Sequence, residues 1–428
     1  MTDPTGAAQS LPPAAPGPFV AWQHRDYRLL VIGQGVASLG RRMQGVALTY
    51  QVYQLHHSTL ELGILGLVRL IPAILFALLG GVLADRVDRR QLLLRTEPAL
   101  LGCALALAVA TQAGWANLAV IYAIAALAAT VGTIGEPARE ALLPALVPRA
   151  HLANALSWHI TVAEVTAIAG PAIGGLLLAY IGIAGVYGLE VVSFAVVIAT
   201  LLAMRARLGA AASADGPSGW HAAIEGFRFI RGNEMILGIM ALDLLANFWG
   251  SATILLPALA DQVFHVGPTG LGLLFAAPAV GALIGASTMT AVAHRVRKPG
   301  WPLLGALAAY GPCTVGLGLA SSLPLALLAL AGVGLADTIG MTFRSQILQL
   351  ATPNALRGRV TAAEQLFTGG GPQAGQLEAG LVAARFGTPF AVVSGGLACI
   401  LSVALIAWLV PTFRRYTFTA TPHEVDDT

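Results

Sequence analysis

The chain is poor in charge, in lysine, in cysteine and in every motif that marks an enzyme. Only 11% of its 428 residues are Asp, Glu, Lys or Arg, less than half of the roughly 25% usual in soluble domains, which excludes a water-soluble globular fold. Lysine occurs once, at Lys298, so the positive charge is almost all arginine, a matter of genome composition and not of mechanism. The formal net charge is +3 and its arginines are scattered through short turns instead of one patch, which excludes nucleic acid as a partner. Cys103, Cys313 and Cys399 lie in apolar runs without metal-ligand spacing, so neither a disulfide framework nor a zinc site is expected. No Gly-x-x-x-x-Gly-Lys loop is present to cradle ATP, and no His-Glu-x-x-His or Gly-x-Ser-x-Gly to hold a catalytic metal or nucleophile. The expectation is a protein that is not an enzyme and uses no cofactor and no metal.

What is abundant is apolar. Hydrophobic residues make up 56% of the chain and the mean hydropathy is +0.75, which places it in a bilayer. At roughly 20 residues per span plus short loops, about twelve spans fit. Apolar runs of that length fall at 28–54, 61–84, 91–112, 117–137, 152–180 and 184–204, then 235–260, 268–293, 301–321, 323–347, 360–384 and 388–410. An all-α membrane protein of twelve transmembrane helices follows. Placing the N-terminus in the cytoplasm puts Arg86, Arg89, Arg90, Arg139, Arg295, Arg357 and most other arginines on that side and leaves almost only Arg385 opposite. The positive-inside rule therefore expects both termini in the cytoplasm of a multi-pass protein. Met1 to Phe19 is rich in Pro, Ala and Gly without a charged start and apolar core, so the stretch 1–27 reads as a disordered cytoplasmic tail and not a cleaved signal.

The two halves repeat. A shift of 205 positions lays Gly80 on Gly285, Arg90 on Arg295, Arg139 on Arg344 and Pro148 on Pro353. Two six-helix bundles in parallel repeat, 28–204 and 235–410, are the simplest reading. The linker 205–234 carries Trp220, Ala223, Ile224, Phe227 and Ile230 at helical spacing, an amphipathic helix for the inner lipid surface. The tail 411–428 completes the division.

Between the second and third runs lies Gly80-Gly81-Val82-Leu83-Ala84-Asp85-Arg86-Val87-Asp88-Arg89-Arg90, two acids and three arginines in a tight hairpin. Paired glycines there let helix backbones approach. Asp85 falls where a helix ends, the unfavourable pole for an anion, so its expected partner is the positive N-terminus of another helix. Gly81, Asp85, Arg86, Arg89 and Arg90 are thus gate candidates, with Asp85 as a latch.

Gly81-x-Leu83-Ala84-Asp85-Arg86-x-x-Arg89-Arg90 resembles the loop 2–3 signature of the major facilitator superfamily, with Asp88 where many members carry Gly. The form is similar to that of the bacterial efflux subgroup that holds the enterobactin exporters. Pro137-Ala138-Arg139-Glu140 and Thr352-Pro353-Asn354 resemble that subgroup's loop 4–5 and 10–11 signatures, and their prolines are expected to stop the fourth and tenth helices. Thr166-x-x-x-Gly170-Pro171-x-x-Gly174-Gly175 looks like the fifth-helix motif associated with exporters, with Thr in place of its first Gly; Gly170, Pro171, Gly174 and Gly175 bend and pack that helix. The resemblance extends through His57-Ser58-Thr59, Leu62-Gly63 and Leu256-Pro257-Ala258-Leu259-Ala260-Asp261, stretches to which it attaches no substrate role. It implies the major facilitator fold, a place in the bacterial inner membrane and export of a small molecule by alternating access. Related drug exporters carry a coupling arginine in the fourth helix, and Tyr122 to Gly135 contains none.

An ionisable side chain inside a span costs at least ~2.5 kcal/mol, so each one needs a reason. Gln34, Ser38, Arg41, Gly45 and Thr49 share one face of the first helix, a polar stripe for a cavity. Arg41, Arg42 and Arg69 either welcome an anionic substrate or pair with Glu164 or Glu190 to hold helices together. Asp243, Asn247 and Ser251 line one face of the seventh helix, and Asp337 sits mid-span in the tenth. Carboxylates at such depth suit proton coupling, with Asp337 first, Asp243 and Glu364 next, and Glu378 weaker. The substrate-binding candidates are Arg41, Arg42, Gln34, Asn247 and Trp249, the arginines facing the helices that bear Trp158 and Trp249. The expected partners are protons, lipid and a siderophore-like, anionic aromatic solute. A broad hydrophobic-drug exporter is the alternative, a channel or inert scaffold the rival class, and a monomer the expected state.

Overall fold

The computed structural model describes residues 17, 19–205, 228–292, 296, 300–352 and 357–410, with the backbone alone at 77–78, 81–82, 84–86, 149, 291, 349, 357–359 and 361–369. Among the described residues every regular element is a helix. The first four are α1 (Arg25–His56), α2 (Thr59–Arg86), α3 (Arg89–Gln112) and α4 (Leu118–Leu142). Next comes the stretch Leu152–Ala203, whose 52 residues would make about 78 Å of straight helix, far beyond the ~30 Å of bilayer hydrocarbon. The chain instead reverses at Gly182, where φ is 71° and ψ is 179°, a backbone that only glycine adopts freely. The part at 152–181, α5, runs along α1 in the same direction, with Tyr27 against Ala155, Ser38 against Thr166 and Arg42 against Gly170. The part at 183–203, α6, runs back along it, with Tyr187 against Gln51, Ser193 against Gly40 and Thr200 against Gly33.

The second bundle starts with α7 (Glu234–Trp249), which 3-10 and short helical turns prolong to Gln262. It continues with α8 (Pro268–Val292), α9 (Gly300–Leu319), α10 (Leu323–Ala351), α11 (Arg357–Phe386) and α12 (Thr388–Leu409). Nine helical stretches among the described residues are long and apolar enough to cross a membrane. That set takes α5 and α6 as one and leaves out α1 and α11, whose polar stripes lower their hydropathy; with these separated and added, the spans number twelve.

Two differences from the sequence expectation have local causes. Helix α4 does not stop at Pro137 but runs to Leu142. Proline leaves the Thr133 carbonyl without its intrahelical donor, and Gly80 of α2 packs on that carbonyl so closely that a Cβ would lie 2.7 Å from it. Arg139 therefore belongs to a helix and not to a loop. In the hairpin, Asp88 is the N-cap of α3 and accepts from Gln91 N at 3.0 Å. Arg89 donates to the Ala141 carbonyl at 3.0 Å, and Arg90 to those of Leu201 and Leu202 at 2.9 and 3.2 Å. Both cations thus bind the carbonyl ends of α4 and α6 inside their own bundle. The side chains of Gly81, Asp85 and Arg86 lie outside the described residues, as does linker segment 220–227.

The bundles meet through α2 against α11 and α5 against α8. Each contact includes a glycine facing a glycine. A Cβ on Gly380 would sit 2.6 Å from Gly63 Cα, and one on Gly272 2.6 Å from the Gly175 carbonyl oxygen. Gly175 and Gly380 are equivalent under the 205-residue repeat. All four lie near the helix ends remote from the Arg89–Arg90 hairpin, so the bundles are closed at that far end.

Within the second bundle the approach is equally tight, since a Cβ on Gly334 would come 2.0 Å from the Pro278 carbonyl oxygen. Gly334→Val is expected to destabilise the protein by about 1–3 kcal/mol and lower its unfolding midpoint in detergent. Gly102→Ala, which meets nothing within 4 Å, should leave the midpoint unchanged in the same assay.

Candidate transport site

Closed at the far end, the bundles leave a cavity of 1380 Å³ between them, larger than the ~300–1,000 Å³ of ordinary small-molecule pockets. Its wall reaches Glu136, Pro137, Ala286 and Ser345 toward the hairpin end and stops at Thr49, Leu107 and Leu256 toward the other. Pro171 of α5 and Pro278 of α8 lie on it.

Arg41, Arg42 and Arg69 form one polar wall. No ion pair within 4 Å involves any of the three among the described residues, and Arg41 Nη1 is buried without a hydrogen-bond partner. Glu190 of α6, only 2% exposed and itself left with Oε2 unsatisfied, lies within electrostatic reach of Arg69 and of Arg41, and Arg41 also feels Glu97 and Glu136. Glu164 of α5 lies within electrostatic reach of Arg42 in its own bundle and of Asp337 and Arg344 in the other. Asp337 is on the wall and exposed to it. Arginines of the first bundle and acids of both bundles thus face one space.

Each bundle also holds a buried ion pair, and the two pairs share a repeat position; Arg139 of the first pair reaches the cavity lining as well. Arg139 donates to Glu97 of α3 at 2.9 Å, with 7% and 0% of their side chains exposed, and also pairs with Glu136. Arg344, its equivalent, pairs with Asp243 of α7. Asn247 donates to Asp243 Oδ1 at 2.8 Å, one turn away. Asp243, Asn247, Tyr310, Arg344 and Asp337 surround a separate void of 30 Å³, room for about one water. Asp337 lines both spaces and so connects them.

The structure separates the candidate residues. Arg41, Arg42 and Asp337 lie on the cavity, while Asn247 and Asp243 lie on the small void. Gln34, 6% exposed, falls outside both linings, and neither of its amide atoms has a partner. Trp249 packs edge to face on Phe248 at 4.8 Å, and Trp158 stacks with Phe19 and Trp22, so neither indole reaches the cavity. The side chain of Glu364 lies outside the described residues. Gly170 and Gly174 bring α5 against Arg42 and Met43 of α1, and Gly175 forms the seam with α8. Sequence reasoning passed over Glu97 entirely and put Arg139 in a loop. The fourth helix does carry an arginine, four residues beyond the segment searched for it; an acid in α3 with an arginine one repeat from Arg344 was the available signal.

The family-level profile for the transmembrane secretion effector family matches residues 16–421. The chain belongs to that family. It is a multi-pass membrane transporter of the major facilitator superfamily. It is 29% identical over 409 residues to the enterobactin exporter EntS of Escherichia coli O6:K15:H31, covering 94% of this chain and 95% of the relative. The same identity and coverage hold against the enterobactin exporter EntS of Shigella boydii serotype 18. Among solved structures, a POT family transporter in complex with 5-aminolevulinic acid superposes with a TM-score of 0.73 at 12% identity, covering 93% of this chain and 98% of that one. A bacterial homologue of the human lysosomal transporter Spinster, inward-facing and unoccupied, gives 0.69 at 15%, covering 92% and 96%. These two share the fold.

Removing one partner of the Arg139–Glu97 pair leaves a charge stranded in the protein. Arg139→Leu is expected to lose about 3–5 kcal/mol of stability. Glu97→Leu combined with Arg139→Leu should recover most of it, read as the unfolding midpoint of purified protein.

Proposed function

We propose that the chain is a proton-coupled exporter that works by alternating access, with the cavity between its bundles presented in turn to the two membrane faces. The positive-inside pattern supports cytoplasmic termini in a bacterial inner membrane, and the cavity then opens to the cytoplasm in the conformation described. Bundles at 28–204 and 235–410 move as the two units, the chain acts as a monomer, and lipid is its surrounding solvent. Export follows from the family and from likeness to exporters along 94% of the chain.

The substrate class rests on one observation above the rest, the wall of Arg41, Arg42 and Arg69 without an ion-pair partner within 4 Å among the described residues. Arginine kept in that state is costly inside a membrane and gains most from an anionic ligand that pairs with it. A large acidic solute of siderophore type, bearing catecholate or carboxylate groups, fits both the wall and the volume. Its aromatic parts would meet Phe194 and Phe275 and not the tryptophans. A second reading has its own support. Arg41, Arg42, Arg69 and Arg139 are balanced on the lining by Glu136, Glu164, Glu190 and Asp337, and most of the remaining wall is apolar, which suits a broad hydrophobic-drug exporter.

Coupling is assigned to Asp337, which is open to the cavity and borders the void holding the Asp243–Arg344 pair. An antiport cycle would load a proton there from outside and release it inside. Asp243 and Glu364 are the reserve positions.

Arg41→Gln or Arg42→Gln is expected to reduce transport of anionic aromatic chelators tenfold or so while changing that of cationic dyes little, a difference of about 1.4 kcal/mol in binding. Deleting the gene in its host under iron limitation should lower siderophore in the medium; normal secretion with raised dye retention would support the drug exporter instead. Asp337→Asn keeps shape and hydrogen bonding but carries no proton, so it should abolish gradient-driven export and leave ligand binding measurable. Full gradient-driven transport by that variant would move the role to Asp243 or Glu364.

A further inference from the structure

At the far end, two stretches that the cavity does not use come together. His57 closes α1 in a left-handed backbone, φ 50°, which turns the chain into α2. Asp261 lies in the last helical turn of the seventh span. The Tyr53 hydroxyl donates to Asp261 Oδ2 at 3.0 Å, and His57 Nδ1 lies 3.1 Å from the same oxygen. The Tyr53 and His57 rings pack edge to face at 5.2 Å. Tyr53 and His57 belong to the first bundle and Asp261 to the second, so one carboxylate oxygen joins both.

Tyr53 itself belongs to an apolar cluster drawn from both bundles, and the polar neighbours of the contact are few. Tyr50 of α1 is within electrostatic reach of Asp261, and the Gln262 amide beside it accepts from Thr388 Oγ1 of α12 at 2.7 Å. His56 and Glu61 pair separately at 2.8 Å. Burial is uneven across the contact. Tyr53 is 2% exposed, whereas the side chains of His57 and Asp261 are 61% and 52% exposed. The tyrosine is a fixed post, and the carboxylate and imidazole already face water. When the contact breaks, both hydrate at once, and exposed pairs of this kind bind weakly. A weak bond is what a gate requires if it opens on every cycle.

We propose that Tyr53, His57 and Asp261 form a latch that holds the far end of the transport pathway shut. It sits on the side closed by the Gly63–Gly380 and Gly175–Gly272 seams and adds to their shape a charged contact that water can replace. The inference rests on the alternating-access reading.

The test uses a transport-competent chain with its three cysteines replaced and Thr253→Cys on the cavity wall. A membrane-impermeant maleimide added outside intact cells reports opening of the far end. Tyr53→Phe, His57→Asn and Asp261→Ala should each speed labelling about two- to fivefold. Asparagine accepts the left-handed backbone at 57, and phenylalanine keeps the buried ring at 53, so these two read the latch even where Asp261→Ala accumulates poorly. His57→Asn with Asp261→Ala should label no faster than Asp261→Ala alone, since Asp261→Ala already removes the oxygen that His57 contacts. Parental rates in Tyr53→Phe and His57→Asn, or additive effects in the double variant, would overturn the latch. Gly380→Trp, which forces the seam apart, is the control: a cysteine dark even there would overturn alternating access and the latch with it.

Discussion

Charge inside the hydrocarbon region is the constraint on which the rest of this structure depends. Each ionised side chain in a span costs at least ~2.5 kcal/mol unless water or an opposite charge meets it. The chain meets that demand in two ways. Arg139 with Glu97 and Arg344 with Asp243 are paired in the interior of their bundles. Arg41, Arg42, Arg69, Glu164 and Asp337 are instead turned onto a shared cavity. A wet space between the bundles is therefore a condition for this sequence to fold in a membrane, and the same space is where a solute would be held.

Closure follows from shape, with little help from charge. At the far end the bundles touch where glycine meets glycine, and the two seams stand at corresponding ends of α2 with α11 and α5 with α8. Glycine lets two backbones reach contact without locking side chains into each other. Opening also has to part the apolar cluster that joins Leu48, Val52 and Leu62 of the first bundle to Leu256, Leu259 and Leu271 of the second. Inside the second bundle glycine also brings backbones together, as at Gly334 and Gly281, where added side chains would strike backbone.

Much of this was legible in the sequence, and what was missed has physical causes. Span number, the two-bundle repeat and the family could be read because hydropathy, arginine placement and the Asp85–Arg90 pattern are local signals. The polar stripe of α1 was read correctly as facing a cavity at Arg41, Gly45 and Thr49, yet one face of a helix is not lined evenly along its length, and Gln34 falls outside the wall. The tryptophans were misplaced because sequence tells which helix carries a ring and not which side of that helix is free. Pro137 suggested a helix end, but a glycine on another helix accommodates the carbonyl it exposes, so Arg139 stays helical and buried. Asp261 and His57 could not be joined from sequence, since 204 residues separate them.

The account's central claim is that the two bundles rock about the charged cavity. It is tested most directly by spin-label distances between bundles, one pair at the hairpin ends of α4 and α10 and one at the far ends of α2 and α11, recorded across a range of proton gradients. The account predicts reciprocal change, the hairpin-end distance shortening as the far-end distance lengthens, with both shifting at the same gradient. Distances that stay fixed at both ends, or that widen together, would contradict it.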